Sequence, residues 1–394
     1  MVHKKLMACL NHLIPKSDSV DMNGGHTSMW YPSKDLSAES LIIGALETAF
    51  WEMDQQIGED KKRYKMLGGC TVLVSLFILG KLYVANAGDS RGCLCRQGGV
   101  AYPMSYDFTP VTERQRLQQL GYQKPHLLGA EYTHLDFCGR KPLRDDLGKR
   151  MLYRDAHMTG WAYKDITADD LRFPLVYGEG KRSRLLATIG VTRGFGDHDL
   201  KAQSSSGNPV YIKPFLTPQP EVRVLDIENE EVTDSDVLVM ATDGLWDVVS
   251  NERVAQIVDN GLRLSKMNEE DVRHKYRFIS IAQELVMAAR GKLVERNWKH
   301  NDDSPATIDD ISVFVIPILP YKAEYAEWKA SKKSKSSQVV NGVSCSGNLE
   351  ETGKAVADPD LDAEMDVDPA EEVTVSDISL TIKDDEEDED EAQK

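Results

Sequence analysis

Three acidic turns in the sequence could supply oxygen ligands to a metal ion. They lie at residues 86–91, 241–247 and 309–313, and each stands at the end of an apolar segment. Carboxylates in such turns can converge at one end of a sheet. Oxygen ligands without His or Cys suit Mg²⁺ or Mn²⁺, and a pair of such ions can activate a bridging water and clamp a phosphoryl group. Each turn alone also fits an ordinary Asp-Gly or Gly-Asp turn, so only their combination indicates a metal site.

The elements around these turns favour an α+β fold with antiparallel sheets. Apolar, β-branched segments at residues 71–79, 82–85 and 93–96 are separated by short turns, which predicts a meander. Further strand patterns lie at residues 185–191, 221–227, 237–241 and 311–316. Helical patterns lie at residues 2–14, 41–53, 253–262 and 276–294, with Ser37 as the N-cap of the second helix. Strands and helices are grouped rather than alternating, which argues against a doubly wound sheet.

Two segments depart from this pattern. Residues 123–183 are charged, aromatic and irregular, and they are too long for a plain connection, so we interpret them as a flap-like insertion. From residue 321 onward large apolar residues become scarce, and residues 351–394 hold 18 Asp and Glu against three Lys. Such a segment cannot offset the entropy cost of ordering. We therefore predict a disordered acidic tail at residues 321–394.

The composition excludes several classes of function. Outside the tail the charges nearly balance, so no basic surface indicates a nucleic-acid partner. The longest apolar run, residues 70–79, is shorter than the roughly 20 residues that span a bilayer, which predicts no membrane segment. Six cysteines without a Cys-x-x-Cys pair, and a start that does not resemble a signal peptide, indicate a reduced compartment. We expect the cytoplasm, with the nucleus as an alternative.

Six segments resemble successive motifs of the PPM, or type 2C, family of metal-dependent serine/threonine protein phosphatases. They occur in the family's order at residues 69–71, 84–91, 189–201, 214–222, 238–252 and 309–313. The resemblance covers residues 1–320, and residues 178–199 with the insertion most resemble the animal H/J/M branch. It implies a phosphatase domain over residues 1–320. It also implies a four-layer αββα sandwich, with two antiparallel β-sheets flanked by helices and metals in a cleft at one edge.

The resemblance also implies a chemistry. Members of the family hydrolyse phosphoserine and phosphothreonine in phosphoprotein substrates with two Mg²⁺ or Mn²⁺ ions. Asp243 and Asp309 match metal ligands of the family, and Asp89 matches a residue linked to a third, weaker metal. Asp310 replaces the usual Asn, as it does in that branch.

Other conspicuous polar residues receive structural roles. Arg193 and Asp197 lie in a family motif, and we expect them to tie a strand end to neighbouring turns. His26, His134 and His198 match no motif role, and we interpret them as surface histidines.

The first metal motifs of the family, a Glu-Asp pair and an Asp-Gly-His-Gly-Gly stretch, have no counterpart, and neither does its phosphate-binding Arg. The catalytic residues therefore stay unassigned. Residues 21–26 contain residue types similar to those of the Asp-Gly-His-Gly-Gly stretch, but they lie in a polar loop. A phosphatase and a non-catalytic binding or regulatory protein both fit this sequence. A nucleotide site at residues 178–183 ranks below both, because the stretch lacks the first Gly of a P-loop and carries Arg182 where Ser or Thr belongs.

The tail contains one patterned segment. Ile378, Leu380 and Ile382 alternate with polar residues directly before the acidic run at residues 384–391. This alternation predicts a strand that gains order by adding to a partner's sheet edge, and it resembles segments that bind small ubiquitin-like modifiers. A solvated tail that only aids solubility explains the same residues.

Overall fold

The computed structural model describes residues 37–64, 68–204, 207–266, 272–294, 297–300 and 306–340. One compact unit holds the described residues up to Ser337. Three features considered from the sequence lie outside the described residues: the helix at 2–14, the stretch at 21–26 with His26, and the tail segment at 378–382.

The described elements follow the chain in this order. The helices are α1 (Ala38–Tyr64), α2 (Arg114–Gln123), α3 (Asp243–Trp246), α4 (Asn251–Lys266), α5 (Val272–Lys275), α6 (Arg277–Arg290) and α7 (Leu319–Val340). Short 3-10 helices lie at Pro125–Leu128, Arg144–Asp146, Ala168–Leu171 and Gly180–Arg182. The strands are β1 (Gly69–Cys70), β2 (Val72–Ile78), β3 (Lys81–Ala87), β4 (Arg91–Arg96), β5 (Val100–Pro103), β6 (Tyr132–Thr133), β7 (Asp136–Phe137), β8 (Arg150–Arg154), β9 (Ala162–Asp165), β10 (Phe173–Pro174), β11 (Val176–Tyr177), β12 (Arg184–Leu185), β13 (Phe195–Gly196), β14 (Lys201–Ala202), β15 (Val210–Tyr211), β16 (Glu221–Asp226), β17 (Val237–Ala241), β18 (Lys292–Val294), β19 (Asn297–Lys299) and β20 (Val313–Pro317).

Two antiparallel sheets form the centre of the unit. The first has the strand order β16-β3-β2 and the second has the order β20-β17-β4-β5. Leu82 and Val84 of β3 are fully buried against Leu94 of β4 and Leu238 of β17, so the sheets pack face to face. This arrangement confirms the predicted α+β class and its pair of antiparallel sheets.

Helices cover the outer faces of both sheets. On the first sheet, Phe50 of α1 packs in one buried cluster with Tyr83 of β3. On the second sheet, Val254 of α4 and Leu285 of α6 share a cluster with Val239 of β17. The four layers expected from the resemblance are therefore present in the described residues.

The long helix α1 follows directly from its sequence. The backbone N–H of Ser40 donates to the Ser37 side-chain oxygen at 3.1 Å, which confirms the predicted N-cap. The apolar stripe lies on the buried face, with Leu46 and Ala49 only 1% exposed. In the described part of the chain, no helix is both long and apolar enough to cross a bilayer.

The insertion at residues 123–183 is built into the domain. It contains the three-stranded antiparallel sheet β7-β8-β9. Leu128 and Leu175 of the insertion share a buried cluster with Leu117 of α2 and Phe215. Removing the insertion would therefore open a hydrophobic core rather than detach a separate flap.

Two predicted elements end earlier than expected. The strand predicted at residues 185–191 is wrong beyond Leu185, because Leu186 and Ala187 adopt positive φ angles of 46° and 55° and reverse the chain. The backbone N–H of Leu185 consequently donates to the Ile189 oxygen at 2.8 Å. The helix predicted at residues 276–294 ends at Arg290, because Gly291 turns into the β18–β19 hairpin with a φ of 68°.

The last described helix crosses the predicted boundary at residue 320. The Tyr321 hydroxyl oxygen of α7 accepts from the Gly80 backbone N–H at 3.0 Å. Its ring lies 5.1 Å from the ring of Phe77 in β2. The start of α7 therefore packs on the first sheet, while the disorder of the later tail stays a prediction.

Candidate metal centre

Strand pairing in the second sheet places the three acidic turns side by side. Ala241, the last residue of β17, pairs with Arg91 at the start of β4 and with Val313 at the start of β20. The carboxylates predicted as ligands lie two to four residues from these paired positions, at Asp89, Asp243 and Asp309. The predicted convergence at one end of a sheet therefore follows from the register.

Hydrogen bonds join the second and third acidic turns. The Thr242 hydroxyl donates to the Asp310 backbone oxygen at 3.1 Å and accepts from the Ser312 backbone N–H at 3.0 Å. A Cβ on Gly244 would lie 2.4 Å from the same Asp310 oxygen, so this close approach requires glycine. Thr242 and Gly244 thus fix the backbone on which two predicted ligands stand.

The turn that carries Asp89 is equally constrained. Gly88 has a φ of 141°, and a Cβ there would lie 2.3 Å from the Thr71 Cβ. The buried Asn86 side chain donates to the backbone oxygens of Gly88 at 3.3 Å and Tyr106 at 2.9 Å. These contacts set the position of Asp89 between β3 and β4.

The three carboxylates predicted as ligands are not neutralised by basic side chains of the described residues. Burial, followed by the negative charge of Asp243, raises the pKa of Asp89 to about 6. Burial, followed by the charges of Asp309 and Asp247, raises the pKa of Asp243 above its usual value. Among the described residues, no Lys or Arg forms an ion pair with Asp89, Asp243 or Asp309. We call Asp89, Asp243, Asp247 and Asp309 the acidic cluster.

Asp247 is a member of the acidic cluster that the sequence analysis missed. It follows α3 directly, and its backbone N–H donates to the Asp243 oxygen at 2.8 Å. Residues four apart on a helical turn lie on one face, so the Asp-x-x-x-Asp spacing could have identified it. The Lys181 ammonium, from the end of the insertion, lies 3.2 Å from Asp247 Oδ1.

The arginine nearest to Asp89 in the sequence is already engaged. Arg91 donates from Nε and Nη2 to both carboxylate oxygens of Asp107, at 2.8 and 2.6 Å. It also donates to the Asn251 side-chain oxygen at 2.8 Å and lies 5.2 Å from the Trp246 ring centre. Because its charge is shared with Asp107, Arg91 does not neutralise the acidic cluster.

Arg193 has the structural role predicted for it. Its guanidinium donates to both oxygens of Glu113, at 2.6 and 3.0 Å, and to the Gln219 backbone oxygen at 3.0 Å. Arg116 donates to the same Glu113 carboxylate at 2.7 Å. Burial alone would raise the pKa of Glu113, but the two guanidiniums lower it below its usual value. Arg193 therefore ties the start of its motif to the residue before α2.

Two histidines interpreted as surface residues are partly buried and paired. His134 Nε2 lies 3.0 Å from Asp155 Oδ1, and His198 Nε2 lies 3.2 Å from Asp54 Oδ1. Their side chains are only 22% and 23% exposed. The interpretation was wrong for both residues, because their acidic partners come from distant or irregular parts of the chain.

The acidic cluster fits a hard divalent cation by its chemistry but forms only part of a cage. Its donors are carboxylates alone, and a cation would relieve the repulsion that, together with the larger effect of burial, raises the pKa of Asp89 and Asp243. Within the described ranges, no group of three or more His, Cys, Asp or Glu could hold a metal ion. Mg²⁺, however, keeps several waters and is often bound through one or two carboxylates. The residues present are therefore compatible with a partly hydrated ion.

A comparison with models of known families assigns the chain to one of them. The family model for protein phosphatase 2C matches residues 22–126 and 175–295. The chain belongs to the protein phosphatase 2C family. Members of this family generally depend on Mg²⁺ or Mn²⁺. The match leaves out residues 127–174, which make up most of the insertion.

Two groups of relatives support the predicted branch. Protein phosphatase 1H from Homo sapiens is 53% identical over 290 residues, which cover 74% of this chain and 54% of that protein. Protein phosphatase 1J from Mus musculus is 52% identical over 291 residues, covering 74% and 55%. This chain thus spans about half the length of these relatives. The similarity to the H/J branch is confirmed.

Solved structures give a weaker match. The serine-threonine phosphatase 2C from Toxoplasma gondii aligns with a TM-score of 0.38 and 14% sequence identity. The alignment covers 73% of this chain and 72% of that one.

Proposed function

We propose that this chain hydrolyses phosphoserine and phosphothreonine in protein substrates at the acidic cluster. One observation carries the proposal: in a chain of the protein phosphatase 2C family, burial and mutual repulsion raise the pKa of Asp89 and Asp243. A fold keeps such uncompensated carboxylates together at a cost in stability, and sites of this kind are candidates for function.

The roles divide among the residues of the cluster. Bound Mg²⁺ or Mn²⁺ would lower the pKa of a coordinated water and offset negative charge on the phosphoryl group. Asp243 and Asp309 are the ligands that would hold two such ions, and Asp89 and Asp247 would hold a third, weaker one. Thr242 and Gly244 keep Asp243 and Asp309 in register through their contacts with Asp310.

The proposal is tested by hydrolysis of a phosphothreonine peptide with Mn²⁺. Asp243→Asn or Asp309→Asn should each lower the rate at least about a hundredfold, on the order of 3 kcal/mol of transition-state stabilisation. Asp234→Asn is the matched control. Asp234 is exposed, lies before the start of β17 and so away from the cluster, and forms an ion pair with Lys266 at 2.9 Å. Retained hydrolysis in either cluster variant, or hydrolysis without a divalent ion, would overturn the proposal.

A non-catalytic binding or regulatory role is the second candidate. It is favoured by the incomplete cage, since the described residues offer no group of three metal-binding side chains. In the same assay this role predicts a folded wild-type chain that does not release phosphate at any Mn²⁺ concentration.

We further propose that the insertion selects among phosphoprotein substrates. It leads directly into the motif at residues 189–201, and its last 3-10 helix, Gly180–Arg182, carries Lys181 to Asp247 of the acidic cluster. Because the insertion shares its core with α2 and Phe215, substitutions on its surface test this role more cleanly than deletion.

A further inference from the structure

A cavity of about 810 Å³ lies between the insertion and the residues around the start of α2. We call it the basic pocket, because five of its lining residues are basic: Arg114, Arg140, Lys141, Arg154 and Arg172. Its acidic lining residues are Asp136 and the exposed Glu179. None of the four acidic-cluster residues lines it, so it is distinct from the candidate metal centre.

Two arginines of the basic pocket share one carboxylate. Arg114 Nη1 lies 3.0 Å and Arg154 Nη2 lies 2.8 Å from the same Asp136 oxygen. The three side chains are 17%, 24% and 15% exposed, so this excess positive charge is partly removed from water. The Arg154 Nε–H is buried and has no acceptor among the described residues. Because two guanidiniums share one carboxylate, the pair keeps a net positive charge that can attract a further anion.

Lys141 adds a cation with no acidic partner among the described residues. Its ammonium lies 4.3 Å from the centre of the Phe173 ring, and Arg154 lies 4.7 Å from the ring centre of Trp161. By contrast, Arg140 and Arg172 are paired with Asp146 at 2.6 Å and Asp169 at 2.8 Å. The aromatic rings hold Lys141 and Arg154 in place without neutralising their charges.

The basic pocket adjoins the acidic cluster along the chain. Gly178, Glu179 and Gly180 line the pocket, and the next residue, Lys181, lies 3.2 Å from Asp247 Oδ1. A substrate segment with its phosphorylated side chain at the acidic cluster would therefore reach the pocket with residues close to the scissile position.

We propose that the basic pocket binds a second anionic side chain of the substrate, a carboxylate or a phosphate close in sequence to the phosphate that is removed. This inference rests on the proposed phosphatase function and names the class of substrate: phosphoproteins with acidic or multiply phosphorylated sites. Arg154 and Lys141 are the specificity-determining residues, since Arg154 shares the Asp136 carboxylate with Arg114 and Lys141 has no acidic partner among the described residues.

Binding in metal-free buffer tests the pocket separately from catalysis. Fluorescence anisotropy would compare labelled phosphothreonine peptides in which three neighbouring positions are all Glu, all Gln or all phosphoserine. The wild-type chain should bind the Glu and phosphoserine peptides at least about fivefold more tightly than the Gln peptide. A larger gain with phosphoserine than with Glu would identify phosphate as the preferred anion, and the reverse would identify carboxylate.

Three variants of the full chain complete the test. Lys141→Gln, which breaks no ion pair, and Arg154→Gln should each remove most of the preference for anionic peptides. Arg150→Gln is the matched control: it lies on the same strand as Arg154, is 76% exposed and does not line the pocket. Equal binding of all three peptides, or an equal loss in the Arg150 variant, would overturn the inference. If the preference is present but no phosphate is released with Mn²⁺, the catalytic proposal fails and the pocket remains.

Discussion

The acidic cluster and the Glu113 site hold partly buried carboxylates in opposite electrostatic states. Glu113 receives two guanidiniums, from Arg193 and Arg116, and its pKa lies below the usual value. Asp89 and Asp243 face other carboxylates instead, and their pKa values lie above the usual range. Arg193 and the acidic cluster belong to motifs that the sequence analysis singled out, yet only the Glu113 carboxylate is neutralised within the protein.

The presence or absence of a basic partner distinguishes a carboxylate with a structural role from one that is available to bind a cation. The fold supplies a basic partner where a buried charge only joins two segments. It leaves the charge uncompensated where a cation from solution is to complete the site. The comparison predicts that substitutions at the two sites change stability in opposite directions.

The largest effect on stability is expected at Glu113. Glu113→Gln leaves the charges of Arg193 and Arg116 without their carboxylate, and we expect a loss of about 3 kcal/mol in the free energy of unfolding. Denaturant unfolding measures this change. A loss below about 1 kcal/mol would show that the paired site is not a structural contact of this kind.

A smaller effect of opposite sign is expected at Asp89. The unfolded chain has the usual Asp pKa of 3.8, whereas the folded chain holds the Asp89 proton up to a pKa of about 6. Stability from this group is therefore present at low pH and lost as the pH rises from about 3.8 to about 6. In EDTA at pH 7.5, Asp89→Asn should stabilise the chain by about 1 to 3 kcal/mol.

The pH dependence of that gain is its control. At pH 4 Asp89 is protonated in the folded chain, so thermal unfolding of the wild type and the Asn variant should nearly coincide. A gain of equal size at both pH values would mean that packing, rather than charge, explains the substitution.

The smallest effect is expected at an exposed pair. Arg150 and Asp165 lie 3.2 Å apart with side chains 76% and 66% exposed. Asp165→Asn should change the free energy of unfolding by less than about 0.5 kcal/mol, because solvent screens the pair. If Asp165→Asn lowered the free energy of unfolding as much as Glu113→Gln does, burial could not explain the large effect expected at Glu113.

Much of the candidate metal centre could be predicted from the sequence, because local pattern and strand ends determine it. Apolar segments followed by Asp turns predicted β3, β4, β17 and β20, and their antiparallel register then brought Asp89, Asp243 and Asp309 to one end of the sheets. The resemblance to the family's motifs indicated the same three residues independently.

The errors concern features that depend on distant or irregular contacts. His198 meets Asp54, which lies 144 positions earlier, and no local pattern shows this pair. Residues 185–191 have strand-like composition, but burial of Leu185 and Leu186 in the core of the insertion favours a tight turn with positive φ angles. The basic pocket was missed because its arginines come from separate elements.

The most direct test of the central claim, that the acidic cluster is kept for a divalent cation, is calorimetric titration of the chain with Mn²⁺ at pH 7.5. Asp243 interacts with both Asp309 and Asp247, so Asp243→Asn should weaken binding at least about tenfold, equivalent to about 1.4 kcal/mol. Asp234→Asn should bind as the wild type does. Equal affinity in the wild type and the Asp243 variant would contradict the account.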